Sequence, residues 1–220
     1  MKTRLLTIIL LALAVPLLIS SCKKKPSAQE QIPAKQQKQT IADVNQMPPK
    51  TDTAPDFTLE NYEGNSVSLS DYKSKIVVLE WFNYDCPFSK YHHEKEQTMT
   101  NLAEKFKDQG VVWLAINSTD YMTAEKNKEF ALKNNIPYPI LTDKDGTVAK
   151  LYDAKTTPHM FIINKNQEIV YNGGIDDSPM GEKGEKGVNF VDQALGELLD
   201  EKAISQPKTK PYGCSVKYAQ

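Results

Sequence analysis

Sulfur is the first place to look for chemistry in this chain. Of its three cysteines, Cys86 stands in the most informative stretch, residues 75–90, which reads KIVVLEWFNYDCPFSK. Ile76, Val77, Val78 and Leu79 form an unbroken apolar run, the pattern of a strand buried on both faces. Past Asn83, Asp85 and Pro87 the period turns helical, with Phe88, Tyr91, His92, Met99, Leu102 and Phe106 on one face. Cys86 therefore marks the handover from strand to helix, at the cap, with Pro87 in the first helical position. A thiol there meets free backbone N–H groups and the positive end of the helix dipole, which favour the thiolate. A thiolate attacks disulfides, and it reduces peroxides by becoming a sulfenic acid. The plainer alternative is a structural cysteine, since free Cys is among the most buried residue types.

Glu80 interrupts the apolar run six residues before Cys86. A carboxylate in a buried strand is costly unless paired or protonated, so Glu80 is either a working group or an edge residue reaching water or a lysine. His93 points within about 20° of Cys86 around the helix, but seven residues of rise place it roughly 10 Å along, beyond hydrogen-bond reach. His92 lies beside the apolar stripe and reads as helix packing. His159 follows Thr157-Pro158, and strand alternation lets it face the thiol or face away. A copper site from Cys86, His159 and Cys214 is the alternative use of these groups, because copper(I) favours thiolate and imidazole. The preferred reading has no metal and no other cofactor.

Several elements are needed to hold these residues. Pro55 to Leu59 reads as a short strand, Val67 and Leu69 alternate with serines, and a helix from 87 to 108 is stopped by Gly110. Val111 to Ile116 is a second apolar strand, and Thr123 caps a helix to Asn134. Tyr138 to Leu141 is a short strand, residues 143–146 are a turn, and 148–152 a short helix. Residues 160–163 and 168–171 form an antiparallel hairpin, and a glycine-rich loop leads to a helix with Phe190, Val191, Ala194, Leu195 and Leu198 on one side. Residues 200–220 are a polar tail. Helices alternating with buried strands and a closing hairpin predict an α/β three-layer sandwich around a mixed central sheet.

The N-terminus reads as an export signal. Lys2 and Arg4 precede an apolar run from Leu5 to Ile19, short for a bilayer span but suited to a signal-peptide core. Ile19-Ser20-Ser21-Cys22 resembles the bacterial lipobox, which implies a signal over 1–21, acylation of Cys22, and a lipid-anchored, extracytoplasmic protein of the cell envelope. Residues 22–54, rich in Lys, Gln and Pro, read as a flexible tether. The domain proper is 55–199, followed by the tail. Without Lys2 and Arg4 the chain has 25 basic and 28 acidic residues, and Arg4 is its only arginine. No basic excess points to nucleic acid.

Strand-Cys-Pro-helix, the later Thr157-Pro158 and the closing hairpin and helix resemble the thioredoxin fold. Pro55-Asp56-Phe57-Thr58-Leu59 and Leu69-Ser70-Asp71-Tyr72 resemble the alkyl hydroperoxide reductase/thiol-specific antioxidant (redoxin) superfamily. Asp85-Cys86-Pro87-Phe88 and the tail from Pro211 to Tyr218 are similar to its peroxiredoxin-like branch. The resemblance implies that Glu80 carries protons for the thiol, and that Thr157, Pro158 and Pro87 border the substrate. It also implies a cis Pro158 facing Cys86, although X–Pro bonds are mostly trans.

The departures redirect the reading. Ser89 stands where thioredoxins carry a second cysteine, and a hydroxyl cannot attack a disulfide. Leu79 and Asn83 stand where peroxiredoxins carry Pro and Thr, and the arginine of their site is missing. A peroxidase of the usual construction is excluded; a slow one stays open. Cys214 is the candidate resolving thiol. Residues 200–214 can extend roughly 45–50 Å at about 3.3 Å each, further than a small domain's radius. A structural clip, or a thiol that couples to another protein, are its other roles. The expected protein is thus an exported thiol–disulfide oxidoreductase acting on protein thiols or disulfides with a thioredoxin-type electron donor. A weak peroxidase, or a non-enzymatic copper- or partner-binding module, are the alternatives.

Overall fold

The computed structural model describes residues 53–218; Cys22, the signal segment and nearly all of the tether lie outside the described residues. A hairpin of β1 (Thr58–Asn61) and β2 (Ser66–Ser68) leads through a 3-10 turn at Leu69–Tyr72 into β3 (Ile76–Trp81). After Cys86 come α1 (Pro87–Lys90), a π turn (Tyr91–Lys95) and α2 (Thr98–Phe106). Then follow β4 (Val111–Asn117), α3 (Ala124–Lys133), β5 (Ile140–Thr142), α4 (Thr147–Leu151) and the two-residue β6 (Thr156–Thr157). The hairpin of β7 (His159–Ile163) and β8 (Ile169–Gly173), the helix α5 (Phe190–Leu199) and a short β9 (Cys214–Ser215) complete the fold.

Seven strands form one sheet in the order β2-β1-β5-β4-β3-β7-β8. β3, β4 and β5 run parallel, and the outer pairings are antiparallel. The solid apolar run of β3 is thereby explained: it has a strand on each side and every residue is buried. The edge alternative for Glu80 is overturned by the same fact. The connections β3 to β4 and β4 to β5 step the same way across the sheet, so crossovers of one hand place their helices on one face. On that face α2, α3 and α5 pack against Ile76, Val78, Ala115 and Ile162. On the other, Val77, Leu79, Trp81 and Phe161 pack against α4, Phe57 and Tyr152.

One expectation fails. The helix from 87 to 108 is broken: Glu96 N–H reaches back five residues to Tyr91 C=O, and Gln97 takes a left-handed φ of 52°. His92 and His93 lie in this π turn and both are buried. The polar tail is tied to the domain by hydrogen bonds. Asn172 N–H bonds Pro207 C=O and Thr209 N–H returns to Asn172 C=O. Beyond β9, Val216 N–H bonds Lys155 C=O, Lys217 C=O accepts from Asp120 N–H, and Tyr218 Oη donates to Ala154 C=O.

Candidate active site

An Asx turn aims the thiol. The Asn83 side-chain oxygen accepts from Asp85 N–H at 2.7 Å, and Asn83 C=O accepts from Cys86 N–H at 3.1 Å. Cys86 then occupies the N-cap of α1 with extended φ/ψ, and Pro87, exposed, is the first helical residue. The thiol is 1% exposed. It donates to the Thr157 carbonyl at 2.9 Å, and the Thr157-Pro158 bond is cis.

Cys214 comes to the same place by strand pairing. β9 adds antiparallel to β6, with Cys214 opposite Thr157 and Ser215 opposite Thr156. Gly213 makes this approach possible: its φ is +121°, and a Cβ there would run into the Thr157 carbonyl. Both cysteines are free thiols, and Cys214 is half-buried.

Their surroundings split the two thiols. Burial opposes ionisation of Cys86, but the Ser89 N–H, the Thr157 side-chain hydroxyl and Cys214 together outweigh it and bring its pKa below the usual cysteine value. The thiol closes no hydrogen bond to the cap; its proton is turned to Thr157, and the helix N–H groups act once the proton is gone. Burial, then the neighbouring Cys86 sulfur, push Cys214 up to about 11, with Lys217 pulling the other way. The pair thus holds one proton more tightly than the other, on the Cys214 side.

Glu80 lies fully buried on the helix-bearing face, where the sequence left it undecided. Oε1 meets His93 Nε2 at 2.6 Å, and Oε2 accepts from Trp113 Nε1 at 3.0 Å and Tyr138 Oη at 3.3 Å. His93 is thus out of contact with the thiol, as its helical rise requires, but it is not idle. Sequence reasoning missed this pair because it joins a strand to a helix, with no local spacing to announce it.

His92 is more than packing. Thr98 lies 3.1 Å from its Nδ1 and Tyr212 Oη 2.9 Å from its Nε2, and Tyr212 donates to Asp176 at 2.7 Å. His159 faces away from the thiol, its Nδ1 taken by Lys155 N–H and its Nε2 by Asn172 Oδ1. Burial pushes its pKa down to about 4. The Cys86–His159–Cys214 copper arrangement is therefore not assembled, and among the described residues no group of three His, Cys, Asp or Glu is placed to hold a metal.

Comparison with known proteins gives the lineage. The thiol-disulfide oxidoreductase ResA of Geobacillus kaustophilus is 34% identical over 118 residues, 53% of this chain and 64% of the relative. The chain spans just under two thirds of the length of the curated relatives it matches first. An uncharacterized conserved protein from the same organism superposes with a TM-score of 0.70 at 32% identity, covering 79% of this chain and 94% of that one. A thiol:disulfide interchange protein DsbE from Chlorobium tepidum, at 22% identity and a TM-score of 0.53, covers 70% and 97% and shares the thioredoxin-like fold. The AhpC/TSA family model matches residues 51–172, more than half of the sequence, and stops short of the tail that carries Cys214. The chain belongs to the AhpC/TSA family.

Proposed function

We propose that the protein is a thiol–disulfide oxidoreductase whose working unit is the Cys86–Cys214 pair. The observation that carries this reading is the β6–β9 pairing, which sets Cys214 against Thr157, the residue whose carbonyl holds the Cys86 thiol. Cys86 thiolate attacks a disulfide in the substrate, forming a mixed disulfide and releasing one substrate thiol. Cys214 then loses its proton and attacks Cys86 Sγ, closing the Cys86–Cys214 bond and freeing the second thiol. A thioredoxin-type donor reduces the bridge. Glu80 serves as proton carrier, and Thr157, Pro158 and Pro87 border the substrate.

Cys86 is almost wholly covered, so β9 lifts to admit a substrate and settles back to resolve it. With peroxide in place of a disulfide, the same pair passes through a sulfenic acid on Cys86, releases water, and closes the same bridge. With no arginine among the described residues, that route is the slower one. Lipidation at Cys22 tethers the domain outside the cytoplasm, where exported disulfides are its substrates.

Peptide mapping after thiol alkylation tests the reading. Oxidised glutathione is expected to produce a Cys86–Cys214 bridge that a thioredoxin-type reductant opens. Cys214→Ser is expected to stall as a mixed disulfide on Cys86. Unchanged turnover in that variant would sink the resolving role, and faster oxidation by hydrogen peroxide than by glutathione would make peroxide the preferred substrate.

A further inference from the structure

Two buried polar atoms behind Cys86 have no hydrogen-bond partner, Ser89 Oγ and His93 Nδ1. Ser89 is 0% exposed and His93 1%. Such groups are costly to bury, and each calls for a reason. Cys86, Ser89 and His93 follow one another at spacings of three and four, which puts them on one helix face with Ser89 in the middle. At the far end His93 Nε2 meets Glu80 Oε1 at 2.6 Å, while the other Glu80 oxygen accepts from Trp113 and Tyr138. Taking Oε1 as an acceptor like Oε2 puts the His93 hydrogen on Nε2 and leaves Nδ1 with a bare lone pair. At the near end the thiol is closed off from water while β9 is seated, and a proton leaving it in that state takes an internal route.

We propose that Ser89 and His93 form, with Glu80, a proton relay for Cys86. The inference rests on Cys86 being the reacting thiol. The Cys86 S–H bond breaks and its proton passes to the Ser89 hydroxyl. The hydroxyl's own proton passes to His93 Nδ1, directly as the side chain rotates or through one water molecule. His93 gives its Nε2 proton to Glu80. The net change is thiol to thiolate and carboxylate to carboxylic acid; Ser89 is restored, His93 has switched tautomer, and no electrons move. The reverse sequence reprotonates Cys86 when it leaves the Cys86–Cys214 bond. Ser89, which cannot replace a second cysteine as a nucleophile, thus has a different task at that position.

Ser89→Ala separates this from mere packing. Deleting a buried hydroxyl that bonds nothing leaves stability unchanged or raises it, so this variant folds. The measurement is the rate of Cys86–Cys214 bridge formation by oxidised glutathione in the full chain, from pH 6 to 9.5, for wild type, Ser89→Ala and His93→Asn. Near pH 7 both variants are expected to be slower by about a hundredfold or more, the low end of general acid–base effects. The deficit is expected to close at high pH, where the thiol ionises without help. Variants that track the wild type throughout, or that are slower by one constant factor at every pH, overturn the relay. If the wild type forms no bridge, the pair reading fails instead; the same pH series is then read from alkylation of Cys86.

Discussion

A side chain at position 213 has nowhere to go. Gly213 combines a left-handed φ with a Cβ vector aimed at the Thr157 carbonyl, the same oxygen that accepts from the Cys86 thiol. Gly213→Ala therefore pushes β9 off β6. A strained backbone of this kind costs about 1–3 kcal/mol, which weakens the local pairing by roughly five- to 150-fold. Cys86 is expected to alkylate faster by a factor in that range, and bridge formation with Cys214 to slow correspondingly. A folded Gly213→Ala protein with wild-type alkylation would show that β9 is not what covers the thiol.

The element that holds Cys214 in register is the π turn as much as β9. By burying both histidines, it turns His93 toward the sheet and His92 toward the tail. One direction of donation satisfies every group in the latch: Thr98 Oγ1 to His92 Nδ1, His92 Nε2 to Tyr212 Oη, and Tyr212 Oη to Asp176. Burial, and then Asp176, hold the Tyr212 hydroxyl well above the usual tyrosine range, so it stays a donor. Tyr212→Phe leaves His92 Nε2–H and an Asp176 oxygen without this partner, a loss of about 1–3 kcal/mol. Tyr212 lies two residues before Cys214, so the loss appears as a poorer fit of Cys214 to Cys86. Titration of the bridge against glutathione is expected to show an equilibrium constant lower by about tenfold, with the pH dependence of Cys86 alkylation unmoved. An unchanged equilibrium would remove the latch from the positioning of Cys214.

Across the whole molecule, what the sequence made legible was the local chemistry. The apolar runs at 76–79, 111–116 and 160–163 became β3, β4 and β7 because interior strands of a covered sheet are apolar on both faces. Thr123 caps α3 through Lys126 N–H as its type suggests. The break after Lys90 was hidden because apolar positions before and after a π turn still fit one helical stripe. The path of the tail was hidden because its pairings are long-range and its composition polar. His159 joins these two themes, since it sits in β7 opposite Trp81 and its ring bonds β8 through Asn172. Its neutral form is built into the sheet, with the pKa moved by burial from 6.5 to about 4. Above pH 6.5 neither folded nor unfolded chain protonates it. As the pH falls from 6.5 toward 4 the unfolded chain binds the proton first, so stability declines over that window. The loss from this residue approaches about 3 kcal/mol at pH 4. Denaturant unfolding at pH 7.5 and 4.5 is expected to show most of this loss in the wild type. His159→Gln, even if less stable at both values, is expected to show a smaller difference between them. Equal acid losses in the two proteins would place the acid sensitivity elsewhere in the fold.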